Sequence, residues 1–126
     1  MATPDYTQTE LNLSCEDLIY LPDDIDKYTN LKILHCYDNK IIQLDNLPQN
    51  LKELYCQDNK ITQLDNLPQN LEKLCCNLNK ITKLNNLPNS LIDMECNYNP
   101  LQYDFKPTLA NIRHYLANVS SITSIG

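Results

Sequence analysis

The sequence predicts an α/β repeat solenoid: short parallel strands on a concave face, extended and turn segments on the convex face, and one helix capping the C-terminal end. Three observations predict it. Residues 31–50, 51–70 and 71–90 read LKILHCYDNKIIQLDNLPQN, LKELYCQDNKITQLDNLPQN and LEKLCCNLNKITKLNNLPNS, one pattern at a fixed period of twenty. In each block apolar residues occupy positions 1, 4, 6, 11, 14 and 17, with Asn at 9 and Pro at 18. Both ends of the chain depart from this pattern, as a stack requires, because an open end exposes its apolar interior. At 126 residues the chain forms one domain, 1–126, long enough for a continuous core if its repeats stack.

The first copy spans 8–30. Leu11 and Leu13 take positions 4 and 6, Leu18 takes 11, and Leu21-Pro22 with Ile25 forms the return. Gln8 stands where Leu is expected, Glu16 where Asn is expected, and Cys15 falls outside the cysteine column. Only seven residues precede this copy, too few for a helical cap, so its strand is expected to be an unprotected sheet edge.

The copies 31–50, 51–70 and 71–90 alternate apolar and polar residues across positions 4 to 7, the period of a strand. Pro48, Pro68 and Pro88 push the residue before them to extended geometry. Each copy therefore predicts one short strand, a turn and an extended return. Cys36, Cys56, Cys76 and Cys96 recur at position 6 and are expected to be small buried hydrophobes. Adjacent strands lie about 4.8 Å apart, but side chains stacked in parallel are poorly oriented for a disulfide, so reduced thiols are expected. Asn39, Asn59, Asn79 and Asn99 are expected to satisfy backbone groups where the chain leaves the sheet, forming a buried ladder. The single Gly is the last residue, so asparagine is also expected to supply the left-handed turn conformations.

The copy 91–103 opens LIDMECNYNPL, and Asp104 then stands where Leu is due. A helix is expected over 107–119, with Thr108 near its start. Leu109, Ile112, Leu116 and Val119 form one apolar stripe to lid the core. The final residues, SSITSIG, are expected to fray.

The charge of −6 argues against nucleic acid, whose phosphates demand a basic surface. No stretch is apolar enough to span a bilayer, and the expected helix lacks the basic face of a membrane-surface helix. No membrane partner and no cofactor are expected. No CxxC pair occurs, there are two histidines, and Asp38 and Asp58 lack further ligands, so no metal site is expected either. MATPDYTQTE has neither a basic start nor an apolar run, which predicts a cytoplasmic or otherwise intracellular protein.

The segment Leu51-x-x-Leu54-x-Cys56-x-x-Asn59-x-Ile61 resembles the LxxLxLxxNxL signature of leucine-rich-repeat proteins. The twenty-residue period and the Leu-Pro before each new copy look most like the short class of bacterial secreted effectors. That class usually carries Leu-Pro twice, whereas here the first proline slot holds Asp45, Asp65 and Asn85, and position 6 is Cys. The resemblance covers roughly 8 to 101. Such effectors often carry a ubiquitin-ligase domain, an activity that the resemblance does not bring to this chain.

In such a stack positions 3, 5 and 7 point out from the concave face, alternating with the buried 4 and 6. Blocks 31–50 and 51–70 share NKI-QLDNLPQNL, including solvent-facing residues, yet across positions 3 to 7 they read ILHCY and ELYCQ, agreeing only at Leu and Cys. Duplication followed by random drift is one account. The favoured one is that each rung meets a different part of a protein partner. The expected contact residues are Ile33, His35 and Tyr37 on one rung and Glu53, Tyr55 and Gln57 on the next. Lys73, Cys75 and Asn77 follow, then Asp93, Glu95 and Tyr98. The tyrosines, with Ile33, His35 and the flanking Leu78, are the expected anchors. Glu53, Asp93 and Glu95 suggest a neutral to basic partner surface. Cys75 and His35 invite a thiol–imidazole reading, but they lie two rungs apart, about 10 Å by the sheet spacing, so no enzyme is expected. The alternative function is a self-associating module, a homodimer through the N-terminal edge strand or the concave face.

Overall fold

The computed structural model describes residues 3–125, with side chains through 119. Its strands are short because the alternating stretch in each copy is short: β1 Glu10–Asn12, β2 Ile33–His35, β3 Glu53–Tyr55, β4 Lys73–Cys75 and β5 Asp93–Glu95. They form one parallel sheet in chain order, with Leu11, Leu34, Leu54, Leu74 and Met94 in register. A 3-10 turn, Ile25–Lys27, lies in the first copy's return, and a helix α1, Leu109–Ile125, follows the last. This is the parallel-strand repeat solenoid that the sequence predicts.

The period of twenty becomes a period of hydrogen bonds. Cys36 N–H donates to Tyr55 O (2.9 Å), Cys56 N–H to Cys75 O (2.9 Å) and Cys76 N–H to Glu95 O (2.8 Å). On the far side of the coil, Lys60 N–H donates to Ile41 O (2.9 Å) and Lys80 N–H to Ile61 O (2.8 Å). Between these two ladders lies the core. Leu34, Leu54, Cys36, Cys56, Cys76, Ile41, Ile61 and Ile81 have no exposed surface. Each such leucine or isoleucine contributes about 1.5–3 kcal/mol by leaving water.

The asparagine ladder takes the form the sequence predicts. Asn59 Nδ2 donates to Cys56 O of its own rung (3.1 Å) and Cys36 O of the rung before (3.0 Å), while its Oδ1 accepts from Ile41 N–H (3.0 Å). Asn79 and Asn99 repeat these bonds one and two rungs on. Asn39 serves the first copy, accepting from the N–H groups of Glu16 and Leu18. Glu16, in the Asn slot, has a carboxylate in place of the amide and so lacks the N–H donors with which the ladder asparagines reach backbone carbonyls.

Three expectations are corrected. The left-handed conformations are not supplied by asparagine alone. Asn46, Asn66 and Asn86 have φ near 57°, but so do Cys15, Asp38, Asp58, Leu78 and Tyr98, all at position 8, and Asp17. The chain turns there to bring the ladder asparagine inward, and the demand falls on whatever residue precedes it. The N-terminal end is less bare than expected. Tyr6 is half-buried, sets its ring edge-on to Tyr28 (centroids 4.9 Å apart) and donates its hydroxyl to Asp24 (2.6 Å). One aromatic ring covers interior that a helical cap would otherwise shield, although β1 remains an edge strand.

At the other end, α1 starts at Leu109 and runs to Ile125, past the expected limit of 119. Thr108 Oγ1 accepts from Asn111 N–H (3.1 Å), an N-cap bond. Of the expected stripe, Ile112 is buried, Leu109 and Leu116 are half-buried, and Val119 is 40% exposed. Tyr103, Phe105 and Tyr115 pack together and fill the remaining space. Arg113 donates to Pro88 O (2.9 Å) and Leu91 O (2.7 Å), tying the helix to the last return. The expected fraying of SSITSIG concerns side chains, and a Gly126, that lie outside the described residues.

Candidate functional site

Parallel register turns the outward strand positions into two columns. Position 5 stacks Asn12, His35, Tyr55, Cys75 and Glu95, and position 3 stacks Glu10, Ile33, Glu53, Lys73 and Asp93. Between each pair of outward residues a Leu or Met points to the core, so all ten emerge on one face. Ile33, His35, Tyr37, Glu53, Tyr55, Gln57, Cys75 and Asn77 are half-buried there, whereas Lys73, Asp93, Glu95 and Tyr98 are exposed.

The face has two chemical halves. In the N-terminal half, His35 stacks on Tyr55 (centroids 5.0 Å apart, planes 9° apart) and meets Tyr37 edge-on (6.0 Å, 83°). Glu10 Oε2 holds His35 Nε2 at 2.8 Å. Tyr55 donates its hydroxyl to Glu53 (2.5 Å), and this bond, with lesser burial, pushes its phenol up to about 12. These contacts hold the rings in place from within the chain. Glu10 was not among the sequence-derived contact residues. The signal for it lay in its place at position 3, one rung from His35.

The C-terminal half is charged. Lys73 Nζ approaches Asp93 Oδ2 at 3.9 Å. Cys75 Sγ lies 3.5 Å from Glu95 Oε2, and burial above all raises its thiol, so it stays neutral. Tyr55, Lys73, Cys75, Asp93 and Glu95 enclose a depression of about 230 Å³. His35 and Cys75 are not brought together, because Tyr55 stands between them in the column.

Beside these columns runs the left-handed margin of position 8. Cys15, Asp38 and Asp58 occupy it on three rungs, then Leu78 (φ 57°) and Tyr98 (φ 60°). Leu78 is 50% exposed and Tyr98 81%. A left-handed conformation costs a side-chain-bearing residue about 1–2 kcal/mol, least for Asp and Asn. Two large apolar side chains thus stand in water on a backbone that penalises them. The sequence alone revealed their identity but not this conformation. On the same face Gln57 Oε1 is a buried acceptor without a donor.

Among the described residues no group of three or more His, Cys, Asp or Glu side chains is placed to hold a metal ion, and no helix is long and apolar enough to cross a membrane. No protein-family model and no curated protein matches the chain. Among solved structures, the chain is similar to the leucine-rich-repeat domain of a Shigella effector, with 33% identity and a TM-score of 0.73. The likeness covers 84% of this chain and 46% of that one, so this chain spans less than half the length of its neighbour.

Proposed function

We propose that this leucine-rich-repeat chain is a non-catalytic protein-binding module that holds its partner across the concave face and the adjoining position-8 margin. The observation that carries the reading is the pair Leu78 and Tyr98, exposed apolar side chains kept in a strained conformation on consecutive rungs. Strain of this kind persists where the surrounding structure imposes it and clusters at ligand-contacting sites. The fixed His35–Tyr55 stack and the divergence of positions 3 to 7 between otherwise matching blocks support the same face. The solved neighbour is an effector's repeat domain, which fits a role in recognition rather than catalysis. The buried free thiols at one slot fit a reducing, intracellular setting.

The test is co-purification from a cell lysate with mass spectrometry, comparing the parent chain with a Tyr37→Ala, Tyr55→Ala, Tyr98→Ala variant of unchanged circular dichroism. A specific protein retained by the parent and lost by the variant is expected. Identical retention by both would overturn the reading. A dimer in size-exclusion chromatography that dissociates with the same three substitutions would reassign the face to self-association.

A further inference from the structure

The position-5 column contains a gap one side chain wide. His35 and Tyr55 are large, Glu95 is long, and Cys75 between them is short. Tyr55 and Glu95 stand on strands two apart, about 10 Å by the sheet spacing. The neutral Cys75 thiol and buried Leu74 make the floor, and Lys73 and Asp93 make one side. One face of the Tyr55 ring is covered by His35, and its hydroxyl is held by Glu53. Its other face looks along the column toward Cys75 and Glu95.

The electrostatics name the occupant. Two carboxylates, Asp93 and Glu95, line the slot against one cation, Lys73, and a third, Glu53, holds the Tyr55 hydroxyl. That lysine lies 3.9 Å from Asp93, with both side chains about half exposed, so the pair is weak. Among the described residues, the side-chain carboxylate of Glu95 has one neighbour in hydrogen-bond range, the Cys75 thiol. A cation within about 6 Å of an aromatic centroid is attracted by the ring face. A cation so placed over Tyr55 remains within reach of the Glu95 carboxylate across the slot. A guanidinium is planar, stacks on aromatic rings and offers paired N–H donors to a carboxylate, which a compact ammonium does not.

We infer that the slot between Tyr55 and Glu95 receives an arginine side chain of the partner protein. The inference rests on the concave-face reading above and gives it a chemistry. The partner presents an exposed arginine, which stacks on the free face of Tyr55 and donates to Glu95. Lys73 remains with Asp93, and the arginine offsets the charge of Glu95.

The experiment is an amide-resolved NMR titration of the whole chain with N-acetylarginine amide, run to about 50 mM because one side chain binds in the millimolar range. The citrulline and lysine amides are titrated in parallel. Saturable shifts centred on Tyr55, Cys75 and Glu95 are expected with arginine, none with citrulline, and weaker ones with lysine. Glu95→Gln, at an exposed position that leaves the core intact, should weaken the arginine response about tenfold, the scale of one charge-assisted hydrogen bond. Cys75→Leu, which fills the slot, should abolish it. Absence of a saturable shift, an equal response to citrulline or lysine, or an unchanged response in Glu95→Gln would overturn the assignment. If the arginine titration fails while the tyrosine variant still loses its captured protein, the slot falls and the concave-face reading stands.

Discussion

Leu78 and Asn59 mark the two ways a single residue governs this molecule. Leu78 sits at φ 57°, half exposed, in the slot that Asp38 and Asp58 fill on preceding rungs. Asn tolerates that conformation better because its short polar side chain bonds locally. Leu78→Asn should therefore raise stability by about 1 kcal/mol, read as a higher denaturant midpoint with unchanged slope, while weakening partner capture. A lower midpoint would show that Leu78 serves the fold. Asn59 is the opposite case. It is 7% exposed, and its amide serves Cys36 O, Cys56 O and Ile41 N–H. Asn59→Ala strands buried backbone groups on two rungs and should cost about 2–4 kcal/mol, measured in the same unfolding experiment. Neither effect was equally legible beforehand. The spacing of the asparagines announced a ladder, whereas the conformation of position 8 follows from how the coil closes, which no single residue encodes.

At the scale of elements, the cysteine column is a built-in sensitivity to alkali. Burial pushes the Cys36 thiol up from 9.0 to about 12, and burial raises Cys56 and Cys76 strongly as well. A thiol that ionises more easily unfolded than folded stabilises the fold fully below its unfolded value. That contribution is lost as pH rises from about 9 through the folded value near 12. The melting temperature should hold level from pH 7 to 8.5 and then fall, and the fall should be shallower in Cys36→Val. An identical decline in both chains would exclude Cys36 as its source. The helix α1 behaves differently from the strands. Its stripe was legible at Leu109, Ile112 and Leu116, yet its docking depends on Arg113 and the Tyr103–Phe105–Tyr115 cluster. Phe105, Arg113 and Tyr115 lie outside the repeat, and Tyr103 stands where earlier copies have Gln43, Gln63 and Lys83, so no second copy shows these contacts.

For the whole molecule, the equivalence of rungs makes the fold close to one-dimensional. Each copy touches chiefly its neighbours, through the same ladder bonds and the same buried slots. Removing residues 51–70 joins two copies with matching positions 1, 4, 6, 9 and 11. The shortened chain should remain folded, with a β-rich circular dichroism spectrum, a lower melting temperature and a smaller denaturant slope in proportion to the surface lost. Failure to fold would mean that stability resides in contacts between particular rungs. The same deletion removes Tyr55 and with it the stack and the slot, so capture of a partner should be lost although the architecture survives.

The sequence by itself determined the solenoid, because a period of twenty with fixed Leu, Ile, Asn and Pro slots has one economical way to bury its apolar residues: copy upon copy. It also determined which residues face outward, since a strand's alternation assigns them once its register is known. Tertiary structure alone decided what those residues do to one another. The stacking of His35 on Tyr55, the hold of Glu10 on His35, the gap above Cys75 and the strain under Leu78 and Tyr98 all join residues about twenty or more apart in the chain or depend on how one rung closes over the next. Periodicity places side chains on a face; only the spacing and closure of the coil bring them into contact.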